Sequence, residues 1–182
     1  VKKPSDFGAG GGRPSHPELL DWLAGWFQQN NYSLKSLHRL IVTSMTYRKS
    51  SASRPDALGR DRDNRLLWRF APKRLEGEAV RDSLLQAAGM LNTQQSGPSY
   101  EDVKEIHFNA GRYYNPIEVK GPKFDRRTIY RFSPRGERDA ILDTFDCPDP
   151  SATAPTRAVT TTPLQALSLS NNVFVWRMAA DL

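Results

Sequence analysis

The chain has 182 residues, 38% of them hydrophobic and 10% aromatic, enough for one domain with a real core and too few for two comfortable ones. A single cysteine, Cys147, excludes an internal disulfide and a thiolate metal cage, and no apolar run approaches the roughly 20 residues that span a bilayer. The net charge of +6 invites an anionic partner, but 26 Lys and Arg are interleaved with 20 Asp and Glu, and no nucleic-acid motif is present. Nucleic-acid binding is therefore not expected.

In chain order, residues 1–14 are Gly-rich and without apolar periodicity, which predicts a flexible lead-in. A helix over 15–30 follows. Ser15 and Glu18 have capping-box spacing, Pro17 sits in the first turn, and Leu19, Leu20, Leu23, Trp26 and Phe27 form an apolar face. A second helix over 33–47 opens on Ser33 and repeats Leu34, Leu37, Leu40, Ile41 and Met45 at threes and fours. The short link predicts an αα-hairpin in which the two apolar faces bury each other, with Trp26 the largest contributor. Residues 48–63 read as a polar loop, and Leu66, Leu67, Trp68 and Phe70 as a compact apolar insertion.

A third helix is predicted over 73–91, with Val80, Leu84, Ala87, Ala88 and Leu91 inward and Glu76, Glu78, Arg81 and Asp82 mostly toward solvent. Gly77 weakens it by roughly 1 kcal/mol relative to Ala. Val103–Phe108 and Ile117–Val119 read as short strands, and Thr128–Phe132, β-branched and aromatic, as the best strand. Residues 140–145 suggest a short helical turn, and 147–155 are irregular. A last helix opens at Thr162 with Pro163 and Gln165 and continues through Trp176. The fold class is thus mainly α: a helical-hairpin-based domain with long irregular loops and a few short strands, spanning 15–182.

Several strings occur together in order. They include Ser15 to Ala24 (SHPELLDWLA), Ser33 to Ile41 (SLKSLHRLI), Asp61 to Arg69 (DRDNRLLWR), Arg126 to Tyr130 (RRTIY), Phe145 to Pro150 (FDCPDP) and Thr160 to Leu167 (TTTPLQAL). This ordered set resembles the planctomycete-specific secreted C-terminal domain of unknown function, from about Asp6 onward. The resemblance implies export and a place within a larger protein, among cytochrome-c-like or sugar-associated modules. It implies partners among other domains of the parent chain, and a family domain that extends beyond both ends of this sequence. Any haem then belongs to a separate domain, with no cofactor expected in this segment. The family supplies no catalytic residues.

The residues themselves offer only candidates. Asp61, Asp63 and Asn64 fail the calcium-loop frame and read better as capping and Arg-pairing groups. Asp143, Asp146 and Asp149 form an acidic loop cluster; paired carboxylates suit general acid/base hydrolysis when one pKa is raised, but a solvated or Arg-paired loop is the plainer reading. Arg126, Arg127, Arg131, Arg135 and Arg157 are candidate anion-binding groups, and Tyr113, Tyr114 and Tyr130 candidate stacking surfaces for sugar rings. His16, His38 and His107 lack metal-ligand spacing, with His38 expected half-buried, and Cys147 has no neighbour that would activate it. Two functions stay open: an interaction domain of an exported assembly, leaning away from catalysis, or a carbohydrate-active or glycan-binding domain for acidic or sulfated polysaccharide. Docking of a cytochrome-like domain for electron transfer is a third.

Overall fold

The computed structural model describes Asp6 and residues 10–181. Helices dominate, with one small two-stranded antiparallel sheet. No helix of the described residues is long and apolar enough to cross a membrane. The chain divides into two compact units, residues 1–73 and 74–182. Most of the lead-in expected over 1–14 lies outside the described residues; Gly10–Pro14 form no helix or strand.

In the first unit, α1 (Pro17–Gln29) begins on Pro17, whose missing N–H is harmless at that position. Its N-cap is His16 without a side-chain cap, and the Ser15 hydroxyl lies 3.0 Å from His16 Nδ1, so the expected Ser15–Glu18 capping box does not form. Helix α2 (Leu34–Thr43) is capped as expected, with Ser36 N–H donating to Ser33 Oγ at 3.3 Å, but it stops short of Tyr47. The predicted packed hairpin is not what forms. Neither helix buries a residue, His38 is exposed, and Trp26 is only half-buried. The link explains this. Asn31 and Tyr32 both adopt left-handed backbone, and Tyr32 folds back edge-on against Phe27, centroids 5.4 Å apart, so the turn itself occupies the aromatic end of α1.

The region read as a loop over 48–63 contains a short helix, α3 (Pro55–Arg60), opened by Pro55. Beyond it Asp61 acts as a local cap: its carboxylate accepts from Arg65 N–H at 2.9 Å and Leu66 N–H at 2.7 Å, while its carbonyl takes the Trp68 indole N–H. Asn64, left-handed, bonds both the N–H and the carbonyl of Arg69 through its amide. The capping expected of Asp61 and Asn64 is thus present, without the arginine pairing.

In the second unit, α4 (Gly77–Ala87) starts four residues later than predicted and turns a different face inward. Gly77, Arg81 and Leu85 are its buried residues, spaced by four; Arg81, expected in solvent, is 7% exposed. Gly77 sits so close to a second backbone that an added Cβ would lie 3.1 Å from the Leu142 carbonyl oxygen and 3.3 Å from Phe145 Cβ. Glycine is the admission condition for this helix crossing.

Strands β1 (Val103–Phe108) and β2 (Gly111–Pro116) form the sheet, Val103 opposite Pro116 and Phe108 opposite Gly111. The turn between them uses Asn109 with φ 52°. The strand expected over 117–119 is therefore displaced into β2. Thr128–Tyr130 is a 3₁₀ turn, not a strand, flanked by isolated bridges from Arg126 to Asn92 and from Arg131 to Tyr100. Helix α5 (Ala140–Thr144) is capped by Asp139, which accepts from Ile141 and Leu142 N–H. The last predicted helix is two: Asn172 leaves helical geometry and caps α7 (Val173–Ala180) through Phe174 N–H, ending α6 (Pro163–Asn171). Gln165 reaches back to Thr162 N–H as expected.

Helix α4 packs on α5, the 3₁₀ turn and α7, and α5 packs on α6. Leu85, Tyr100, Ile141, Leu142, Phe145 and Met178 form the apolar core, but Arg81, Asp125, Arg126, Arg131, Glu137 and Gln165 are buried among them. This core is held by charge as much as by apolar contact.

Candidate functional site

A guanidinium offers five N–H donors in a planar fork, and burying it without partners costs several kcal/mol. Each buried arginine here reaches across to a loop, although Arg126 Nε is left without a hydrogen-bond partner. Arg81 donates to the carbonyls of Phe124 at 2.8 Å and Arg126 at 3.0 Å, and to Thr128 Oγ1 at 3.3 Å. Asp82 beside it accepts from Thr128 N–H at 2.7 Å and Thr128 Oγ1 at 2.6 Å, so one turn of α4 grips 124–128 from both sides. Arg126 lies over the Tyr130 ring, 4.0 Å from its centroid, and donates to the carbonyls of Gln94, Ser96 and Pro98. The Tyr130 hydroxyl accepts from Ser96 N–H at 2.9 Å.

Arg131 donates to Asp102 at 2.8 Å and Glu137 at 3.1 Å; burial opposes its charge, but the Asp102 hydrogen bond and the surrounding carboxylates raise its pKa further above the ordinary arginine value. Arg177 of α7 closes the set on Asp125 at 2.9 Å and the Val119 carbonyl at 2.8 Å.

The acidic cluster is similarly committed. Asp143 and Asp149 both pair with Arg138, and Asp149 is lowered below the usual carboxylate range by the Ser151 N–H and then by Arg138. Asp146, left-handed at φ 62°, accepts from Thr160 N–H and Oγ1 at 2.7 and 2.9 Å, so it fastens loop to loop. Arg157 is bidentate on Glu78, at 2.7 and 2.9 Å, and holds its carboxyl below the ordinary glutamate value. The Cys147 thiol, 3.7 Å from Glu78, is pushed up to about 11 by burial and by that carboxylate. Burial likewise pushes the Tyr100 phenol up to about 12.

The chemistry follows from those directions. A general acid at neutral pH needs a raised carboxyl, whereas Glu78 and Asp149 are lowered. A nucleophilic cysteine needs a depressed pKa, and Cys147 has the reverse. The hollow beside Arg131, Glu137, Arg138, Asp143, Cys147 and Asp149 encloses about 110 Å³, below the ~300 Å³ at which ligand pockets begin. Among the described residues, no three His, Cys, Asp or Glu side chains gather so as to hold a metal ion. Of the predicted anion-binding and stacking groups, Arg127, Arg135, Arg157 and Tyr113 are exposed; Tyr114 is half-buried near Phe132.

The first unit presents the opposite environment. Between α1, α2 and the 64–73 segment lies an open, mostly apolar cleft of about 590 Å³, within the range of binding pockets. Leu19, Trp22 and Leu23 line it from α1, Leu40 and Ile41 from α2, and Phe70 from the segment beyond α3. Tyr47, also in the lining, packs edge-on against Phe70, centroids 5.1 Å apart. Arg69 and Lys73 bring cations to the lining, and Arg69 Nε is buried without a hydrogen-bond partner. Its guanidinium carbon sits 4.9 Å over the Trp68 ring, which holds the charge without satisfying that donor.

The apolar stripes of the two helices predict mutual burial in place of this cleft. A signal did exist: at 100° per residue, Leu19, Leu20, Trp22, Leu23, Trp26 and Phe27 span an arc of about 160°, wider than one partner helix covers.

No curated protein and no solved structure matches the chain. The family described as PSD1, a protein of unknown function (DUF1553), matches residues 1–182, and the chain belongs to that family.

Proposed function

We propose that this chain is a protein-interaction domain within a larger exported protein, and that residues 19–73 carry the contact surface. The observation behind this reading is the open apolar cleft around Trp22 and Ile41, which are 55% and 39% exposed, on helices that bury nothing of their own. Contiguous apolar surface of this kind marks a place where another surface docks. The setting beside cytochrome-c-like or polysaccharide-processing modules is supported by the ordered sequence strings alone.

Limited proteolysis of the intact parent protein tests the reading. Residues 19–73 are expected to be protected, and to become cleavable when Trp22→Glu and Ile41→Asp are introduced together with helical content retained. Equal cleavage before and after the substitutions overturns it.

A second reading, binding of an anionic polysaccharide, is favoured by the exposure of Arg127, Arg135 and Tyr113 in the other unit. It predicts that Arg127→Ala weakens retention on a sulfated glycan column; unchanged retention removes Arg127 from any such site.

A further inference from the structure

The cleft's chemistry defines its occupant more narrowly than apolarity does. Residues 1–73 contain 13 Lys and Arg against 6 Asp and Glu, a net of +7, while 74–182 contain 13 against 14, a net of −1. The whole positive excess of the chain therefore belongs to the unit that holds the cleft. The ion pairs among the described residues lie in 74–182, so the cations of 10–73 have not been neutralised by one another's neighbours in the way those of the second unit have. Arg69 and Lys73 bring two of these cations to the cleft lining. A carboxylate arriving at the lining can pair with a guanidinium or an ammonium through charge-assisted hydrogen bonds.

Resting on the interaction-domain reading, we propose that the cleft receives an amphipathic helix with an acidic polar face, carried by a protein partner. Its apolar residues, at i, i+3, i+4 and i+7, would lie along Leu19, Trp22, Leu23, Leu40 and Ile41. A carboxylate at the edge of its apolar stripe would meet Arg69 and Lys73. The architecture favours this occupant over a compact one: α1 and α2 supply two walls, and a third helix supplies the layer that a two-helix element lacks. Leu20, Leu34 and Val42 on the same two helices are also exposed, at 50%, 61% and 46%.

The test uses the 182-residue chain and three synthetic helical peptides, followed by fluorescence anisotropy. One has a leucine stripe with Glu elsewhere, one the same stripe with Lys, and one the Glu composition with its stripe scrambled. The Glu peptide is expected to bind roughly tenfold tighter than the Lys peptide at low salt, with the advantage shrinking at high salt, and the scrambled peptide to bind least. Ile41→Asp should abolish binding, and Arg69→Gln should reduce the Glu peptide's affinity about tenfold while leaving the Lys peptide's unchanged. Circular dichroism shows whether each variant keeps its helices; if Ile41→Asp loses them, Arg69→Gln decides. Equal binding of the Glu and Lys peptides, or no binding by the Glu peptide, overturns the acidic helix. Binding of dodecanoate at the cleft without the Glu peptide overturns it as well, in favour of a small anionic amphiphile. Protection of 19–73 in the parent protein is a separate readout, so the docking surface stands or falls independently of its occupant's charge.

Discussion

The two units use the same residue types to opposite ends. In 74–182 arginines are buried and answered: Arg81, Arg126 and Arg131 each bind backbone carbonyls or carboxylates across 28 or more residues of sequence in at least one contact, so charge does the work of tertiary closure. In 1–73 the apolar residues have a helix to sit on but little to bury against. One unit turns its arginines inward, whereas the other leaves apolar helix faces open around a cleft.

The sharpest break of that contrast is Arg131→Ala. It leaves Asp102 and Glu137, both largely buried, without their shared cation. Removing one partner of a buried pair costs about 3–5 kcal/mol, and urea unfolding should show the loss as a midpoint shift. A change near zero would mean that the ion pairs of this core contribute no more than surface ones.

Next is Gly77→Ala. Gly77 is the first residue of α4, so helix propensity offers less than the ~1 kcal/mol gained at an interior site. The added Cβ instead meets the Leu142 backbone and Phe145, and overpacking of this sort costs about 1–3 kcal/mol. Thermal melting decides by sign: a raised melting temperature would show that α4 and α5 can move apart freely.

The Glu78–Arg157 pair gives a smaller, pH-dependent effect. Arg157 holds the folded Glu78 carboxyl below its unfolded value, so its contribution is fully present above the ordinary glutamate pKa and disappears as pH falls through the lowered one. Glu78→Gln should therefore remove part of the acid-side loss of stability while changing the neutral value by less than ~1 kcal/mol, since the pair is partly solvated. The same substitution removes a carboxylate beside Cys147, whose alkylation should be slow at neutral pH and accelerate toward pH 11. Identical acid-unfolding curves for both proteins would remove Glu78 from the linkage.

What was legible in the sequence follows this division. Helices α1 and α2 were readable because apolar residues at threes and fours report a helix whatever it packs on. Arg81 departs from expectation because a charge on a helix is ordinarily solvated; the carbonyls of Phe124 and Arg126, more than 40 residues away, make its burial tolerable. Thr128–Phe132 has strand-like composition, but Asp82 captures the Thr128 N–H and hydroxyl and the chain turns there. Strand β2 was hidden by Gly111, Asn115 and Pro116, residues unfavourable in strands that the pairing with β1 overrides. The candidate arginines and aspartates were found as residues, yet their roles depend on partners distant in sequence, which spacing does not encode.

The smallest expected effect is also the one that most directly opposes the first. Trp22→Ala deletes the largest side chain that lines the cleft, and an aromatic truncation in a packed core costs about 3–5 kcal/mol. Here the ring is already 55% exposed and α1 buries no residue, so the isolated 182-residue chain should lose no more than ~0.5 kcal/mol. In the intact parent protein the same substitution should expose 19–73 to protease. A large stability loss in the isolated chain would instead make Trp22 part of a core that 1–73 builds for itself, and the cleft a packing feature with no call for a partner.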